Sequence, residues 1–264
     1  MSQGKNRLAL VSGSTAGIGF AIAEKLVGKH FDVIVNGRTE ARVERAIGLL
    51  REGGASASQL HGVAADLATA SGVAKILQSF PRVDVLVNNF GAFAPKPFAE
   101  IGDDDWAHMW DSNVMSGVRL SRHYFPRMLE SGYGRVIFIS SESALQIPAE
   151  GIHYGVSKTA QLALARGMAE LATNTNVTVN SVLVGPTKSE GMGNFLEQMA
   201  RGQQMAEADV EKWFFSTVRP TSLVKRFLRP EEIGAFVAFL TSEEASAITG
   251  AALRADGGVV KSVI

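Results

Sequence analysis

The sequence predicts an α/β fold, a doubly wound sandwich in which helices flank both faces of a seven-stranded parallel sheet. Short apolar, β-branched runs alternate with amphipathic helical patterns, and right-handed crossovers arrange such segments into a parallel sheet. Several of the runs, such as "VDVLV" at 83–87 and "RVIFI" at 135–139, are almost continuously apolar. Strands that are covered by helices on both faces have this composition.

The predicted elements alternate along the whole chain, which shows no internal repeat and no low-complexity linker. We therefore expect one domain over residues 1–264. The strand candidates are Leu8–Ser12, Asp32–Asn36, Gln59–Ala64, Val83–Asn88, Arg135–Ser140, Thr178–Val184 and Ala251–Ala255. The helix candidates are Gly17–Lys29, Glu40–Arg51, Gly72–Ser79, Asp105–Glu130 (as one helix or two), Tyr154–Ala172 and Pro230–Leu240.

Residues 189–229 interrupt this alternation between the sixth strand and the last helix. They carry the aromatic residues Phe195, Trp213, Phe214 and Phe215. A structureless loop of this length is unusual in a compact domain, so we expect helical pieces that form a lid over a pocket. Packing of this segment on the body of the domain, or on another subunit, is the alternative.

Composition excludes several classes of function. The 26 basic residues balance 26 acidic ones, and no run of Lys and Arg is long enough to track a nucleic-acid backbone. The chain has no cysteine, which excludes disulfides, thiol catalysis and zinc–thiolate sites. No apolar window reaches the roughly 18 residues that span a bilayer, and the N-terminal apolar run is too short for a signal peptide. We expect a cytoplasmic protein that binds neither nucleic acid nor membrane.

A glycine-rich turn follows the first predicted strand and opens the first predicted helix. In "SGSTAGIG", Gly13, Gly17 and Gly19 allow a tight turn, a close approach of the backbone to a pyrophosphate and close packing of helix on sheet. The free N–H groups of the helix N-terminus favour an anion. We therefore expect a Rossmann-type dinucleotide site in which Ser14, Thr15 and Ile18 also contact the cofactor.

The end of the second strand favours NADP(H) over NAD(H). "VIVNGRT" lacks the carboxylate that would hold the ribose 2′-hydroxyl of NAD(H), and Arg38 offers a planar cation suited to a 2′-phosphate. Asn36 and Thr39 are expected to assist Arg38. The alternative is that Arg38 is a solvated surface residue.

Five features, taken in order and spacing, resemble the short-chain dehydrogenase/reductase (SDR) superfamily and its 3-oxoacyl-carrier-protein reductase-like branch over nearly the whole chain. They are the glycine turn, "NNFG" at 88–91, Asn113 in "SNVMSG", Ser141 thirteen residues before Tyr154, and "YGVSK" at 154–158. The resemblance implies a tetramer that transfers hydride between a nicotinamide and a carbonyl or secondary alcohol. It implies Tyr154 as general acid/base, Lys158 as its electrostatic partner and ribose ligand, Ser141 as carbonyl-orienting donor, and Asn113 as the anchor of a water relay.

Helical geometry supports the pairing of Tyr154 with Lys158, because residues four apart share one face of a helix. Lowering the pKa of a tyrosine by about three units requires ~4 kcal/mol of preferential stabilisation of the phenolate. One cation about 4 Å away supplies roughly that amount at an effective dielectric constant of 20. We therefore expect Lys158 to lower the pKa of Tyr154.

The resemblance implies further cofactor contacts on both sides of the glycine turn. Asp66 and Leu67 in "AADL" would lie near the adenine, although Asp66 capping the following helix is the alternative. The remaining implied contacts are Asn89 and Gly91 beside the adenine ribose, the turn of Gly185, Pro186 and Thr187 beside the nicotinamide, and Ser189 near the carboxamide.

The substrate wall is expected to include Phe93, Gln146, His153 and Trp213. No metal site is expected, because Asp103 to Asp105 precede a helical run and are typical of helix caps. Two other functions remain open: an NAD-linked alcohol dehydrogenase of the same fold, and a dinucleotide-binding sensor without turnover. The sensor is suggested by Phe90 and Val184, which stand where the family usually has alanine and proline.

Overall fold

The computed structural model describes residues 6–189, 193 and 206–263. Within them, seven parallel strands form one sheet in the order β3-β2-β1-β4-β5-β6-β7. This confirms the predicted doubly wound, Rossmann-type fold. The strands are β1 (Leu8–Val11), β2 (Asp32–Gly37), β3 (Leu60–Ala64), β4 (Val85–Asn88), β5 (Gly134–Ser141), β6 (Val177–Val184) and β7 (Ala252–Ala255).

Helices connect the strands and cover both faces of the sheet. They are α1 (Gly17–Val27), α2 (Glu40–Glu52), α3 (Ala70–Ser79), α4 (Asp103–Trp110), α5 (Ser116–Ser131), α6 (Ile152–Leu171), α7 (Glu207–Trp213) and α8 (Pro230–Leu240). None of the described helices combines the length and the apolar character that crossing a membrane requires.

The helix predicted over 105–130 is two helices, α4 and α5, joined by a π-helical turn over Asp111–Met115. A π turn inserts an extra residue into the helix and changes the direction of the side chains around it. Asn113 lies in the middle of this turn and is buried. Asp105 accepts a hydrogen bond from the Gly102 N–H at 2.9 Å, so it caps the start of α4 as predicted.

Successive residues of each strand supply two separate cores, one on each face of the sheet. Val11 of β1 packs with Ile22 of α1 and Val237 of α8, on the face that α1, α2 and α8 cover. The neighbouring Leu10 packs with Leu120 on the other face, which α3, α5 and α6 cover. Helices therefore cover both faces of the sheet, which explains the continuous apolar runs of the sequence.

The strand order reverses between β1 and β4, which are neighbours in the sheet. In doubly wound sheets, a ligand binds in the crevice outside the carboxyl ends of the strands at such a switch point. The glycine turn follows β1 here, and the "NNFG" segment follows β4. The fold thus brings two of the predicted cofactor segments to one crevice.

The segment predicted to form a lid is helical over residues 207–218 and irregular over residues 219–229. It contains α7 and a π-helical turn over Phe214–Val218, and Phe214 and Phe215 pack with Phe227 in a small apolar cluster. Residues 190–192 and 194–205, including Phe195, lie outside the described residues.

Candidate active site

A cavity of about 430 Å³ lies at the carboxyl ends of the strands. It extends from the first turn of α1, past the ends of β4 and β5 and the start of α6, to the turn after β6 and the π turn of the lid segment. It therefore joins the predicted phosphate turn to the predicted catalytic residues. The predicted residues that line it are Gly17, Ile18, Gly19, Asn89, Gly91, Phe93, Ser141, Tyr154, Lys158, Gly185, Pro186, Thr187 and Ser189.

The glycine turn has the geometry that a pyrophosphate site needs. Gly13 and Gly17 have φ angles of +63° and +56°, in the left-handed region that favours glycine. A Cβ atom on Gly19 would lie 2.3 Å from the Gly13 carbonyl oxygen, so only glycine fits there. The Asn89 side chain fixes the turn by donating to the carbonyl oxygens of Ser12 and Gly13, at 2.9 and 3.0 Å.

The first turn of α1 leaves its N–H groups available to a ligand. Ala16 occupies the N-cap position, makes no side-chain cap, and is followed by no acidic residue in the first turn. An uncapped helix N-terminus with partial positive charge, open to a cavity through Gly17, Ile18 and Gly19, suits a phosphate anion. The residues present therefore fit a dinucleotide.

Ser14 and Asn36 are buried beneath the turn, and their side chains bind main-chain groups. Asn36 is buried; its Oδ1 accepts from the Gly13 N–H at 3.0 Å, and its Nδ2 donates to the carbonyl oxygens of Val63 and Ala65. Ser14 is buried too, and its hydroxyl donates to Val11 O. The Asn36 side chain thus binds backbone groups that water cannot reach, and no hydrogen bond joins it to Arg38 among the described residues.

Arg38 follows β2, is exposed, and lies beside the turn, because a Cβ atom on the adjacent Gly37 would meet the Thr15 side chain at 2.4 Å. The Thr39 hydroxyl caps α2 by accepting from the Arg42 N–H at 3.4 Å. This hydrogen bond gives Thr39 a structural role.

Asp66 and Leu67 lie at the carboxyl end of β3. Asp66 is exposed and accepts from the Ala68 N–H at 3.1 Å, whereas Thr69 is the cap of α3. The capping alternative for Asp66 is therefore wrong. The Leu67 side chain is fully buried in the core, so only its main chain can reach a ligand.

Tyr154 and Lys158 lie one turn apart on α6 and line the same end of the cavity as Ser141, which ends β5. The Lys158 Nζ lies 5.7 Å from the centre of the Tyr154 ring and donates to the Ile139 carbonyl oxygen at 2.9 Å. Phe93 packs edge-on against the Tyr154 ring, with the ring centres 4.9 Å apart. The predicted acid, cation and hydroxyl donor are thus assembled.

The pKa of Tyr154 moves opposite to the expectation. Burial raises the pKa of Tyr154 to about 12, a hydrogen bond from Ser141 lowers it, the charge of Glu142 raises it, and Arg219 lowers it. Burial also lowers the pKa of Lys158 to about 8. A cation about 4 Å away would lower the pKa of a hydrated phenol, but for Tyr154 the loss of hydration dominates and raises it.

Asn113 lies behind Lys158 rather than in the cavity wall. Its side chain exchanges hydrogen bonds with the Ala92 main chain at 2.7 and 3.1 Å, and donates to the Ser157 hydroxyl at 2.8 Å. Its carbonyl oxygen accepts from Gln161 Nε2 at 2.6 Å. The side chain and the main-chain carbonyl oxygen of Asn113, the residue expected to anchor a water relay, are therefore both engaged by protein groups.

The turn after β6 is held firmly despite Val184. Val184 is paired with Ser141 and Ala255 in the sheet, and the Gly185 N–H donates to Ala255 O at 3.1 Å. The Pro186 carbonyl oxygen accepts from Leu228 N at 2.8 Å. The other departure, Phe90, packs against the α3/α5/α6 core and is not a cavity residue.

Of the four residues expected in the substrate wall, only Phe93 lines the cavity. Gln146 is exposed outside it, and His153 is buried away from the cavity, with its ring 5.9 Å from that of Trp106. Trp213 lies against the phenylalanine cluster, and its neighbour Phe214 reaches the cavity instead. Adjacent residues of a helix point in different directions, so a pattern of aromatics alone does not select the one that faces the ligand.

A buried ion pair at the cavity was missed by the sequence reasoning. Glu142 follows Ser141, and its Oε1 accepts from Arg219 Nε at 2.7 Å; Arg219 also reaches Glu150 at 3.3 Å. The side chains of Glu142 and Arg219 are only 4% and 13% exposed. The acidic residue directly after Ser141 was the available signal, but its partner lies 77 residues away.

Comparisons with known proteins show the family of the chain. A family model described as enoyl-(acyl carrier protein) reductase matches residues 13–260. The uncharacterized oxidoreductase YvaG of Bacillus subtilis is 48% identical over 261 residues, which cover 99% of this chain and 98% of that protein.

Solved structures show the same fold over the whole chain. The L-sorbose reductase from Gluconobacter frateurii, complexed with NADPH and L-sorbose, is 30% identical with a TM-score of 0.88, and the match covers 98% of both chains. An actinorhodin polyketide ketoreductase with NADPH is 26% identical with a TM-score of 0.88, over 99% of this chain and 100% of that one. The chain therefore belongs to the short-chain dehydrogenase/reductase superfamily and is an oxidoreductase of that family.

Proposed function

We propose that the protein is an NADP(H)-dependent carbonyl reductase or secondary-alcohol dehydrogenase in which Tyr154 is the general acid/base. One observation carries this proposal: Ser141, Tyr154 and Lys158 meet at one end of a cavity whose other end is the glycine turn. A nicotinamide dinucleotide, once bound, would supply or accept the hydride. The chain itself has to orient the carbonyl and move the proton.

The residues at the cavity have the chemistry for these tasks. In reduction, the Tyr154 hydroxyl gives its proton to the carbonyl oxygen, and the Ser141 hydroxyl donates a hydrogen bond that strengthens as negative charge develops there. Lys158 stabilises the phenolate that remains on Tyr154. Because the pKa of Tyr154 is about 12, the hydroxyl carries its proton at neutral pH. The hydroxyl can therefore act as the proton donor in reduction under those conditions.

Support for NADP(H) comes from Arg38, which is exposed beside the glycine turn where no carboxylate is present. Both solved relatives described above contain NADPH. We further propose, on the family resemblance, that the protein works in the cytoplasm as a homotetramer and acts on a small-molecule carbonyl or alcohol. Residues 189–229 would serve as the substrate lid of its single domain, since Phe214, Val218 and Arg219 line the cavity.

The reaction is tested by following the absorbance of NADPH at 340 nm as a panel of ketones and aldehydes is reduced. We expect turnover by the parent enzyme and a loss of at least about a hundredfold in kcat for Tyr154→Phe, because the proton donor is gone. The affinity for NADPH should be largely kept. Tyr133→Phe removes a hydroxyl far from the cavity and is the matched control. A Tyr154→Phe enzyme that runs at the parent rate contradicts the assignment.

Cofactor choice is tested with Arg38→Ala and the control Arg45→Ala, which changes an exposed arginine on α2. We expect Arg38→Ala to weaken NADPH binding about tenfold or more and to leave NADH binding nearly unchanged, since a charge-assisted contact to the 2′-phosphate is lost. Equal losses for both cofactors, or a parent that prefers NADH, would support the NAD-linked alternative instead.

A further inference from the structure

Gln161 lies on α6 one turn after Lys158 and is 1% exposed. Its Oε1 accepts a hydrogen bond from Lys158 Nζ at 3.3 Å, and its Nε2 donates to the Asn113 carbonyl oxygen at 2.6 Å. The amide thus connects an ammonium group on α6 to the π turn between α4 and α5. Neither the resemblance nor the mechanism above gives Gln161 a role.

The chemistry of the two neighbours suits an amide. An ammonium group only donates hydrogen bonds and a carbonyl oxygen only accepts them, so a group placed between them must accept on one side and donate on the other. A glutamine side chain does both with fixed geometry and without a charge. A water molecule could do the same, but it would be free to exchange and to reorient.

Lys158 is surrounded by neutral groups on every side that the structure describes. Behind it are Ile139 O of β5 and Gln161 of α6, and the segment after β4 approaches at Gly91, where a Cβ atom would lie 3.5 Å from Nζ. The titratable group in front of it is Tyr154. The orientation of the ammonium therefore depends on two neutral acceptors, Ile139 O and Gln161 Oε1.

We propose that Gln161 is a positioning residue, which bridges Lys158 to the Asn113 carbonyl and so aims the ammonium into the cavity. The role rests on the proposed function. Burial already lowers the pKa of Lys158 to about 8. Removing one of its acceptors destabilises the charged form further, because a buried ammonium needs its hydrogen bonds.

The bridge also limits where protons travel. The glutamine amide neither gains nor loses a proton near neutral pH. Protons therefore reach Tyr154 from the cavity side, and Lys158 acts through its charge and its orientation.

The proposal is tested with Gln161→Leu, Gln161→Glu and the control Gln78→Leu, which makes the same change at an exposed position of α3. The first readout needs neither cofactor nor turnover. In protein labelled with ¹³C-lysine, the Cε shift of Lys158, assigned with Lys158→Met, is followed against pH. We expect the pKa of Lys158 to fall in Gln161→Leu, to rise in Gln161→Glu, and to stay at the parent value in Gln78→Leu.

Opposite movements distinguish a positioning role from a packing role, because loss of packing alone would not reverse sign with the charge introduced. In steady-state reduction we expect kcat to fall about tenfold or more in Gln161→Leu, the effect of losing a hydrogen bond to a charged group, and KM for the carbonyl to change less. The pH at which activity declines should move with the measured pKa of Lys158. Gln161→Glu retains the acceptor and should keep more activity than Gln161→Leu.

The outcomes separate the two proposals. A parent enzyme that reduces carbonyls, combined with an unchanged pKa of Lys158 in both Gln161 variants, overturns the role of Gln161 alone. A shift of that pKa in the same direction in both variants also overturns it. If Gln161→Leu does not fold, Gln161→Glu decides: a raised pKa of Lys158 together with a kcat below that of the parent supports the bridge, because a carboxylate cannot donate to the Asn113 carbonyl oxygen, and an unchanged pKa or a parent kcat refutes it. A parent without any carbonyl activity, with opposite pKa shifts, removes the proposed function and leaves the bridge.

Discussion

The burial of Lys158 makes a prediction about stability that is independent of catalysis. The side chain is 5% exposed, and burial lowers its pKa from the ordinary 10.5 to about 8. That difference corresponds to about 3 kcal/mol, at ~1.4 kcal/mol for each pKa unit. Below pH 8 the folded protein bears this cost, because its lysine must stay charged away from water.

The sign of the pH dependence follows from linkage. Between pH 8 and 10.5 the unfolded chain holds a proton on this lysine that the folded chain has released. The free energy of unfolding therefore gains with rising pH through that window. Lys158→Met lacks this titration. The free energy of unfolding of the parent, relative to that of Lys158→Met, should thus increase by about 3 kcal/mol from pH 7 to 10.5.

Urea denaturation of the cofactor-free proteins, followed by tryptophan fluorescence at several pH values, measures this difference. Lys158→Met also removes hydrogen bonds, which changes its free energy of unfolding by an amount that does not depend on pH. Only the way in which the free energy of unfolding changes with pH is therefore diagnostic. Lys75→Met, at an exposed position of α3, is the control and should run parallel to the parent. Parallel curves for Lys158→Met as well would show that burial does not penalise the Lys158 charge, and would refute the reasoning.

Two further predictions concern the glycine turn and the ion pair at the cavity. Gly19→Ala should abolish NADPH binding in a fluorescence titration, because the new Cβ would lie 2.3 Å from Gly13 O. The control is Gly48→Ala in α2, where no atom lies near the Cβ position. This variant should bind NADPH normally and gain about 0.5–1 kcal/mol of stability. Arg219→Met should destabilise the protein by about 3 kcal/mol in urea, because it leaves the buried Glu142 carboxylate without its cation, and adding Glu142→Gln should recover much of the loss. Purely additive losses in that double variant would contradict the pairing.

The parts of the site that depend on local geometry were predictable from the sequence. Strand periodicity gave the sheet, the glycine spacing gave the turn at the start of α1, and the four-residue interval placed Tyr154 and Lys158 on one face of α6. Each of these follows from repeat distances that are fixed by the backbone. One or two turns of chain are enough to read them.

Contacts between distant segments were not predictable. Gln161 meets Asn113 across 48 residues, and Arg219 meets Glu142 across 77, and no local pattern marks either pair. Asn36 was assigned to the cofactor because it precedes Arg38. It is instead buried in β2, where it satisfies three main-chain groups in two neighbouring segments, the glycine turn and the end of β3. Polar residues at strand ends serve either the ligand or the backbone, and only the packing decides which.

Reduction and oxidation need opposite protonation states of Tyr154, and burial shifts the pKa values of both Tyr154 and Lys158. Burial favours the neutral form of both residues, yet with pKa values of about 12 and about 8, Tyr154 keeps its proton at pH 7 and Lys158 keeps its charge. That is the state a reductase needs, since the hydroxyl must give up a proton and the ammonium must stabilise the resulting phenolate. Oxidation needs the phenolate at the start, so its rate should rise with pH through the neutral range while that of reduction does not. Under the proposed function, the ratio of the two catalysed rates therefore depends on pH through this buried pair.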